Sequence, residues 1–394
     1  MSPTSYWDRI FFSTLQHLQG GRIELTLPDG ERLTLGKSDQ DRADLTFHEE
    51  NLAKSILLGG SMALAETYIE GKWSTGDLSA LLRVLARSQQ EMGPLARGTS
   101  GMLKKMDHLL HKLRRNTKEN ARKNIQEHYD LSNELYATFL DPSLTYSSAI
   151  FEREGEDLEL AQYRKIDRLI DQLSPGAEDH VLEIGSGWGA CAIRMAQRTG
   201  CRVTSLTLSD RQAEEARQRV QAAGLEDRVE IRLQDYRDVQ GEFDHIVSIE
   251  MIEAVGHDFL AEYFQVVNSR LKKGGRFALQ AITIPDERYQ EYNGSVDFIR
   301  KHIFPGGHLP SPSVIEEIRK RHTDLKVVDH FEFGKDYAET LRRWCVKFLG
   351  SRDRVRALGF DDAFVRKWQY YLCYCEAGFD TDLIHVRQIC YRKD

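Results

Sequence analysis

The chain has 394 residues, of which 29% are charged, 41% are hydrophobic and only nine are proline. This balance is close to that of globular proteins, so it excludes a disordered, collagen-like or low-complexity chain, and the length predicts two domains. The net charge of −7 gives no reason to expect nucleic acid as a partner. No apolar stretch approaches roughly 18 to 20 residues, and the first residues lack the pattern of a secretion signal, so we expect a cytoplasmic protein.

The six cysteines are too few for a disulfide framework in a chain of this length, and none has the CxxC spacing of a zinc site. The one close pair, Cys373 and Cys375, falls on different faces of a strand or a helix. We therefore expect reduced thiols and no bound metal.

Residues 1–95 are expected to form the smaller domain, of the α+β class. Residues 22–35 alternate apolar and polar side chains on both sides of Pro28-Asp29-Gly30, which is typical of a β-hairpin with one buried face. Apolar residues then recur at helical spacing up to residue 90 and predict helices.

Residues 96–123 are strongly basic, and leucine and methionine recur among the charges at steps of three and four. A basic amphipathic helix of this kind can lie in a membrane interface with its apolar stripe among the acyl chains. The alternative is a solvated linker whose apolar stripe packs on a neighbouring domain, which is the commoner role of a charge run. The residues alone leave both readings open.

From residue 160 onward, short apolar stretches alternate with helical patterns. This repetition predicts a doubly wound, mainly parallel sheet with helices on both faces, inside a larger domain of residues 124–394. Ligands of such sheets bind at the carboxyl ends of the strands, so the polar residues that follow strands are the candidate contacts. They are Glu183, Gly185 and Gly187 after the first strand, Thr207 and Gln212 after the second, and Gln234 and Asp235 after the third.

The glycine turn at 185–189 is weak evidence by itself, because nicotinamide and flavin enzymes use similar turns. No GxGxxG motif is present, however, and polar residues follow three successive strands. The arrangement resembles the class I S-adenosylmethionine-dependent methyltransferase fold, which is a Rossmann-like sheet of seven strands. The stretch VLEIGSGWG is similar to the first motif of that fold.

A narrower resemblance runs from about residue 115 to the C-terminus. The stretches NIQEHYDLSNELYATFLDPSLTYSSAIF, SIEMIEAVGHDFLAEYF, KHIFPGGHLPS and FGKDYAETLRRW resemble successive blocks of the cyclopropane-fatty-acyl-phospholipid synthase family. The stretches QAITIPDERYQEY and ALGFDDAFVRKWQYYLCYCEAGF are similar to the plant-type and related bacterial members. The N-terminal segment resembles the accessory domain of the full-length members, which implies a part in lipid engagement or dimer contacts.

The resemblance also implies residue roles. S-adenosylmethionine would be bound by Tyr146, Ser147, Gly185, Gly187, Thr207, Gln212 and Asp235. The strand-end residues Glu183 and Gln234 are expected to join them as cofactor contacts. A bicarbonate-binding active site would be lined by Glu253, Ile282 and Tyr337. Ser148 stands where a cysteine is usual, and Gln280 stands where a histidine is usual. Both can still hydrogen-bond an oxyanion, so bicarbonate remains the expected second cofactor.

Aromatic side chains near these motifs are candidates for the wall of the substrate site, where ring faces would stabilise a cation. They are Tyr129, Phe304 and Tyr371, with His128 as a further substrate contact. The alternative for the aromatic residues is a place in the core, and His128 could instead cap its helix.

The function that the resemblance implies is transfer of a methylene from S-adenosylmethionine to the cis double bond of an unsaturated phospholipid acyl chain. The alkene attacks the methyl group, and bicarbonate removes a proton from the resulting carbocation so that a cyclopropane ring closes. The expected partner is a phospholipid bilayer, contacted from the inner face of the membrane, and a homodimer is expected.

Three alternatives remain. A fatty-acyl C-methyltransferase would leave a methylene or methyl branch, and Ser148 and Gln280 at the base-handling positions keep this reading open. A small-molecule methyltransferase could use the same cofactor pocket. A non-enzymatic lipid-binding protein could keep the fold, although Glu253, Tyr337 and the glycine turn argue against it.

Overall fold

The computed structural model describes residues 6–91 and 131–394, with side chains described up to residue 88 in the first range. The predicted basic linker, His128 and Tyr129 lie outside the described residues. No helix within these two ranges is long and apolar enough to cross a bilayer.

The N-terminal unit combines a small sheet with three helices. Its elements are α1 (Tyr6–Leu15), β1 (Arg22–Thr26), β2 (Arg32–Leu35), β3 (Arg42–Phe47), α2 (Leu52–Ile69), β4 (Trp73–Ser74) and α3 (Leu78–Glu91). The sheet order is β2-β1-β3-β4, and β1 pairs with β2 antiparallel. The predicted hairpin is thus confirmed, and its buried face carries Ile23, Leu25 and Leu35.

The larger unit alternates strands and helices as the sequence predicts. Its first half contains α4 (Asn133–Tyr136), α5 (Leu158–Leu173), β5 (His180–Ile184), α6 (Ala190–Thr199), β6 (Arg202–Thr207), α7 (Asp210–Ala222), β7 (Val229–Leu233), β8 (Phe243–Ile249) and α8 (Leu260–Arg270). Its second half contains β9 (Leu271–Thr283), α9 (Asp286–Asn293), α10 (Phe298–His302), α11 (Pro312–His322), β10 (Leu325–Glu332), α12 (Gly334–Gly350), α13 (Arg352–Ala357), α14 (Asp362–Asp380) and β11 (His385–Lys393).

These strands form one seven-stranded sheet of order β10-β11-β9-β8-β5-β6-β7. The pairs from β9 to β7 are parallel, and β11 is antiparallel to both of its neighbours. The predicted mainly parallel α/β sheet is therefore confirmed. Strand order reverses between β5 and β8, and a cleft opens at the carboxyl ends of the strands at such a switch point.

The N-terminal unit packs against α14 through α2 and α3. The rings of Tyr68 and Tyr370 lie 5.7 Å apart, and the Ser79 hydroxyl donates to Glu376 Oε2 at 2.6 Å. Arg366 Nε donates to the Ile69 carbonyl at 2.7 Å. One apolar core runs through both units, so the small unit supports the helix that carries Tyr371.

Candidate active site

The glycine loop after β5 forms the floor of the cleft. Gly185 has φ of 98°, and a side chain there would lie 3.1 Å from Met251 Cγ. The N–H groups of Gly185 and Ser186 both donate to the Leu206 carbonyl, which ties the loop to the end of β6. Trp188 Nε1 donates to Asn133 Oδ1 at 2.9 Å on the other side of the loop. The loop is thereby fixed with its backbone open to a ligand.

All nine residues predicted to contact the cofactor line this one cleft. The parallel strands explain the convergence, because their carboxyl ends meet at the same edge of the sheet. Thr207 Oγ1 lies 2.9 Å from Gln212 Oε1, and Arg237 forms a salt bridge to Asp235 at 2.6 Å. The structure brings these residues together, and their contact with S-adenosylmethionine stays a prediction.

Glu183 lies buried at the end of β5, where its Oε2 accepts from the Ser205 hydroxyl. Removal from water raises the pKa of Glu183 to about 7, against the lowering effect of this hydrogen bond and of Lys165. The carboxyl group is therefore poised to change its charge near neutral pH.

Lys165 of α5 is fully buried and lines the same cleft, which the sequence did not indicate. Its Nζ donates to Ser147 Oγ at 2.5 Å. Burial lowers the pKa of Lys165 to about 8, opposed by the nearby carboxylates Glu250 and Glu183. The lysine stands between Arg164 and Ile166 in an amphipathic helix, so the sequence pattern alone is typical of a solvated side chain.

Glu250 directly follows β8 and is the second residue that the sequence analysis missed. Its backbone lies in the left-handed region, with φ of 47°. Oε1 accepts from the Ser148 N–H at 2.9 Å and from Gln280 Nε2 at 2.7 Å. Oε2 accepts from the Tyr337 hydroxyl at 2.7 Å. The strand-end rule that selects Glu183 also applies to Glu250, and that signal could have found it.

Glu253 lies one turn beyond Glu250. Its Oε1 accepts from the Ile282 N–H at 2.5 Å, and its Oε2 is buried without a hydrogen-bond partner among the described residues. Burial first, and then the charge of Glu250, raise the pKa of Glu253 to about 8. Glu253 therefore carries a proton at neutral pH, as expected where two carboxyl groups share a site.

Comparison with known proteins assigns the chain to a family. The family model of mycolic acid cyclopropane synthetase matches residues 116–389. The chain belongs to this family. It is 41% identical to tuberculostearic acid methyltransferase UfaA1 of Mycobacterium tuberculosis, across 97% of this chain and 89% of that protein. It is 34% identical to cyclopropane-fatty-acyl-phospholipid synthase of Escherichia coli strain K12, across 89% of this chain and 88% of that protein.

A solved structure of the mycolic acid cyclopropane synthase CmaA1, complexed with SAH and CTAB, superposes with a TM-score of 0.65 at 30% identity. The match covers 69% of this chain and 98% of that chain. As a member of the cyclopropane synthetase family, the chain is an S-adenosylmethionine-dependent methyltransferase that modifies lipid acyl chains.

The bicarbonate that the resemblance implies does not fit the residues present. The Ser148 N–H, a Gln280 amide N–H and the Tyr337 hydroxyl all donate to Glu250, and the Ile282 N–H donates to Glu253. The Ser148 hydroxyl donates to the Ala149 carbonyl, and Gln280 Oε1 accepts from Gln388. In this member of the cyclopropane synthetase family, the N–H and O–H donors assigned to an exogenous oxyanion therefore serve carboxylates of the protein, and Glu253 Oε2 is the assigned atom left without a partner among the described residues.

Two of the residues predicted to line the substrate site, Phe304 and Tyr371, lie in one aromatic cluster. The hydroxyls of Tyr146 and Tyr371 lie 2.8 Å apart, and the Phe304 ring centroid lies 6.0 Å from that of Tyr371. Tyr146 also packs against Trp344, with centroids 5.4 Å apart. Because Tyr146 lines the cofactor cleft, this cluster brings Phe304 and Tyr371 beside it. Their contact with substrate stays a prediction.

Proposed function

We propose that the protein transfers a methylene from S-adenosylmethionine to the cis double bond of an unsaturated phospholipid acyl chain and so forms a cyclopropane ring. The observation that carries this proposal is a carboxylate, Glu250, held by three donors at the edge of the cofactor cleft next to aromatic side chains. Alkylation of an alkene leaves a carbocation. Ring closure then needs a base to remove a proton and an apolar aromatic wall to keep water from the cation.

The residues of the cleft fit the cofactor. The glycine loop with Gly185 and Gly187 leaves backbone open to a ligand, and the polar residues Thr207, Gln212 and Asp235 lie where parallel strands end. Glu183 and Lys165 supply the buried charges beside them. When bound, S-adenosylmethionine supplies an electrophilic methyl group, which an alkene can attack only when it is held nearly in line. The task of these residues is therefore positioning.

The aromatic cluster serves the cation that alkylation leaves on the acyl chain. The Tyr146 ring packs against Trp344, with centroids 5.4 Å apart, and the Tyr146 hydroxyl is hydrogen-bonded to that of Tyr371. Ring faces stabilise a nearby positive charge by about 0.5–2 kcal/mol each and, being apolar, they keep out the water that would capture the cation. Loss of a proton from the newly added carbon then closes the ring.

A second product is favoured by a specific observation. The relative that is 41% identical across 97% of this chain is named a tuberculostearic acid methyltransferase. In a C-methyltransferase the same cation would first undergo a hydride shift along the chain. Loss of a proton from the added carbon would then give a methylene branch. Both products need the same alkylation and a base at the same carbon, so the cleft supports either one.

Product analysis tests the proposal and separates the two products. The protein is incubated with S-adenosylmethionine and liposomes of a monounsaturated phospholipid, and the released acyl chains are analysed by mass spectrometry before and after mild hydrogenation. A gain of one CH₂ that resists hydrogenation identifies a ring. A gain that takes up hydrogen identifies a methylene branch, and absence of any gain contradicts both lipid functions.

We also propose that the protein works at the membrane surface, on the inner face, because its substrate chain lies in a bilayer. The basic segment 96–123, which lies outside the described residues, has the composition for anionic head groups. Changing Lys104, Lys105, Arg114 and Arg115 to glutamine should abolish sedimentation with anionic liposomes. Unchanged sedimentation would contradict the role of this segment.

The proposed homodimer is tested by light scattering of the purified protein, and a monomer mass would contradict it.

A further inference from the structure

The backbone at Glu250 holds the carboxylate in a costly conformation. A left-handed φ of 47° at a residue other than glycine costs about 1 kcal/mol or more, and it persists only where surrounding contacts hold it. The Glu250 N–H donates to the Gln280 carbonyl at 2.8 Å, which fixes the residue against β9. The conformation directs the carboxylate to three donors from three separate elements: the loop before α5, β9 and α12.

Those donors leave the carboxylate one acceptor position. An ionised carboxylate has about four lone-pair sites, and the Ser148 N–H, Gln280 Nε2 and the Tyr337 hydroxyl occupy three of them. Glu250 Oε1 accepts two of these bonds and Oε2 accepts only the one from Tyr337, so the fourth site belongs to Oε2. Glu250 also lines the cofactor cleft, beside Met251 and Ile249. One oxygen can therefore accept a proton from a molecule in the cleft.

The charges around Glu250 favour its ionised form over that of its neighbour. Burial raises the pKa of Glu250 overall, and this effect is opposed by the charge of Lys165 on α5 and by the Ser148, Tyr337 and Gln280 donors. Glu253 has only backbone donors, and its pKa is raised to about 8. The surroundings of Glu250 thus stabilise a negative charge better than those of Glu253 do.

We propose that Glu250 is the catalytic base of this enzyme and takes the place of an exogenous bicarbonate. The inference rests on the proposed function, whose cation it deprotonates. After the methyl carbon leaves sulfur and bonds to one alkene carbon, the other alkene carbon is cationic. A C–H bond of the added carbon then breaks, its electron pair forms the second ring bond, and the proton moves to Glu250 Oε2. The protonated Glu250 returns the proton to solvent after product leaves.

Bicarbonate dependence tests the proposal on the unmodified protein. Turnover is measured with monounsaturated liposomes in buffer stripped of carbon dioxide, and again with added bicarbonate. We expect the two rates to agree within about twofold, because the base belongs to the chain. A loss of activity in the stripped buffer that added bicarbonate restores would overturn the proposal.

Two variants of Glu250 make the test sharper. Glu250→Gln keeps the shape but removes the base, so turnover should fall about 10²- to 10⁴-fold, the usual effect of losing general-base catalysis. Glu250→Gly suits the left-handed backbone and leaves the three donors facing a space of carboxylate size. Bicarbonate or formate added to Glu250→Gly should therefore restore activity at least about tenfold, with no such effect on Glu250→Gln.

Controls distinguish loss of the catalytic base from misfolding of the variant and from failure of the proposed function. Glu226→Gln changes an exposed carboxylate and should leave turnover unchanged. Calorimetry should show that both Glu250 variants still bind S-adenosylmethionine. Full activity of Glu250→Gln, or a Glu250→Gly variant that binds cofactor but is not rescued, would contradict the role of Glu250. Absence of any lipid product from the unmodified protein would instead contradict the proposed function.

Discussion

The Tyr337 hydroxyl donates a 2.7 Å hydrogen bond to Glu250 Oε2, across 87 residues of sequence. This contact joins α12 to the end of β8 and places a donor from the C-terminal half of the chain at the cofactor cleft. The Tyr337 ring stacks on Phe379 with centroids 4.5 Å apart, so the hydroxyl is held in position by the packing of α12 on α14.

Tyr337→Phe should therefore weaken catalysis without unfolding the protein. A hydrogen bond to a charged group contributes about 1.5–3 kcal/mol, so turnover should fall about tenfold to hundredfold. The hydroxyl lowers the pKa of Glu250, so its loss should raise that pKa and move the rise of activity to higher pH. Tyr163→Phe is the matched control, because it removes a tyrosine bond to Glu159 on the surface of α5. Equal pH profiles for Tyr337→Phe and the unmodified protein would contradict this role.

Cofactor affinity should depend on pH through Glu183. Its pKa is raised to about 7 by burial, so the group is protonated below that pH and loses the charge that attracts a sulfonium ligand. Titration calorimetry should show the dissociation constant of S-adenosylmethionine rising by up to about tenfold per pH unit below pH 7. Lys165 and Glu250 line the same cleft, so a variant must show which group is responsible. In Glu183→Gln the affinity for S-adenosylmethionine should no longer depend on pH. Glu178→Gln, on the exposed loop before β5, should keep the dependence.

The glycine loop should tolerate no side chain at Gly185. A Cβ there would meet Met251 at 3.1 Å on a backbone with φ of 98°, a strain of about 1–3 kcal/mol that the loop can relieve only by shifting. Gly185→Ala should raise the dissociation constant of S-adenosylmethionine about tenfold or more. Gly241→Ala has a similar φ of 88° and open space around it, at the amino end of β8. It should lower the melting temperature while cofactor affinity stays the same, and equal affinity losses in both variants would contradict the prediction.

The contact between the two units should depend on Glu376. This buried carboxylate of α14 accepts from Ser79 of α3 at 2.6 Å and from Arg342 Nε of α12 at 3.1 Å, and it lies 3.6 Å from Arg83 of α3. Glu376→Ala removes the buried acceptor of Ser79, while both arginines keep Asp380 as a partner, so it should lower the free energy of unfolding by about 1–3 kcal/mol. The exposed pair of Glu317 and Arg321 provides the control, since Glu317→Ala should cost about 0.3–0.5 kcal/mol. Denaturant unfolding measures both, and a similar small loss in Glu376→Ala would contradict the prediction.

The sequence predicts the cofactor cleft well because one local rule places it. Glu183 and Thr207 lie at the ends of β5 and β6, Asp235 follows β7, and parallel strands bring their carboxyl ends together. The hairpin of residues 22–35 is predicted for a similar reason, since alternation and a turn are properties of neighbouring residues.

The cluster of Ser148, Gln280 and Tyr337 around Glu250 depends on contacts between residues far apart in sequence, and no local pattern reveals these contacts. Gln280 meets Gln388 only because β9 and β11 pair in one particular register, and that pairing leaves the Gln280 amide for Glu250. Lys165 follows Arg164 in an amphipathic helix, a pattern typical of a solvated side chain, yet its side chain is fully buried and lines the cofactor cleft. The roles of Ser148 and Gln280 are thus visible only after Glu250 is placed between them.

The central claim is that the protein adds carbon to an acyl double bond and then removes a hydrogen from that same carbon. The most direct measurement supplies S-adenosylmethionine with a fully deuterated methyl group to the enzyme on monounsaturated liposomes, followed by mass spectrometry of the acyl chains. The account predicts a product that keeps two of the three deuterium atoms. A product that keeps all three, or an acyl chain that gains no label, would contradict it.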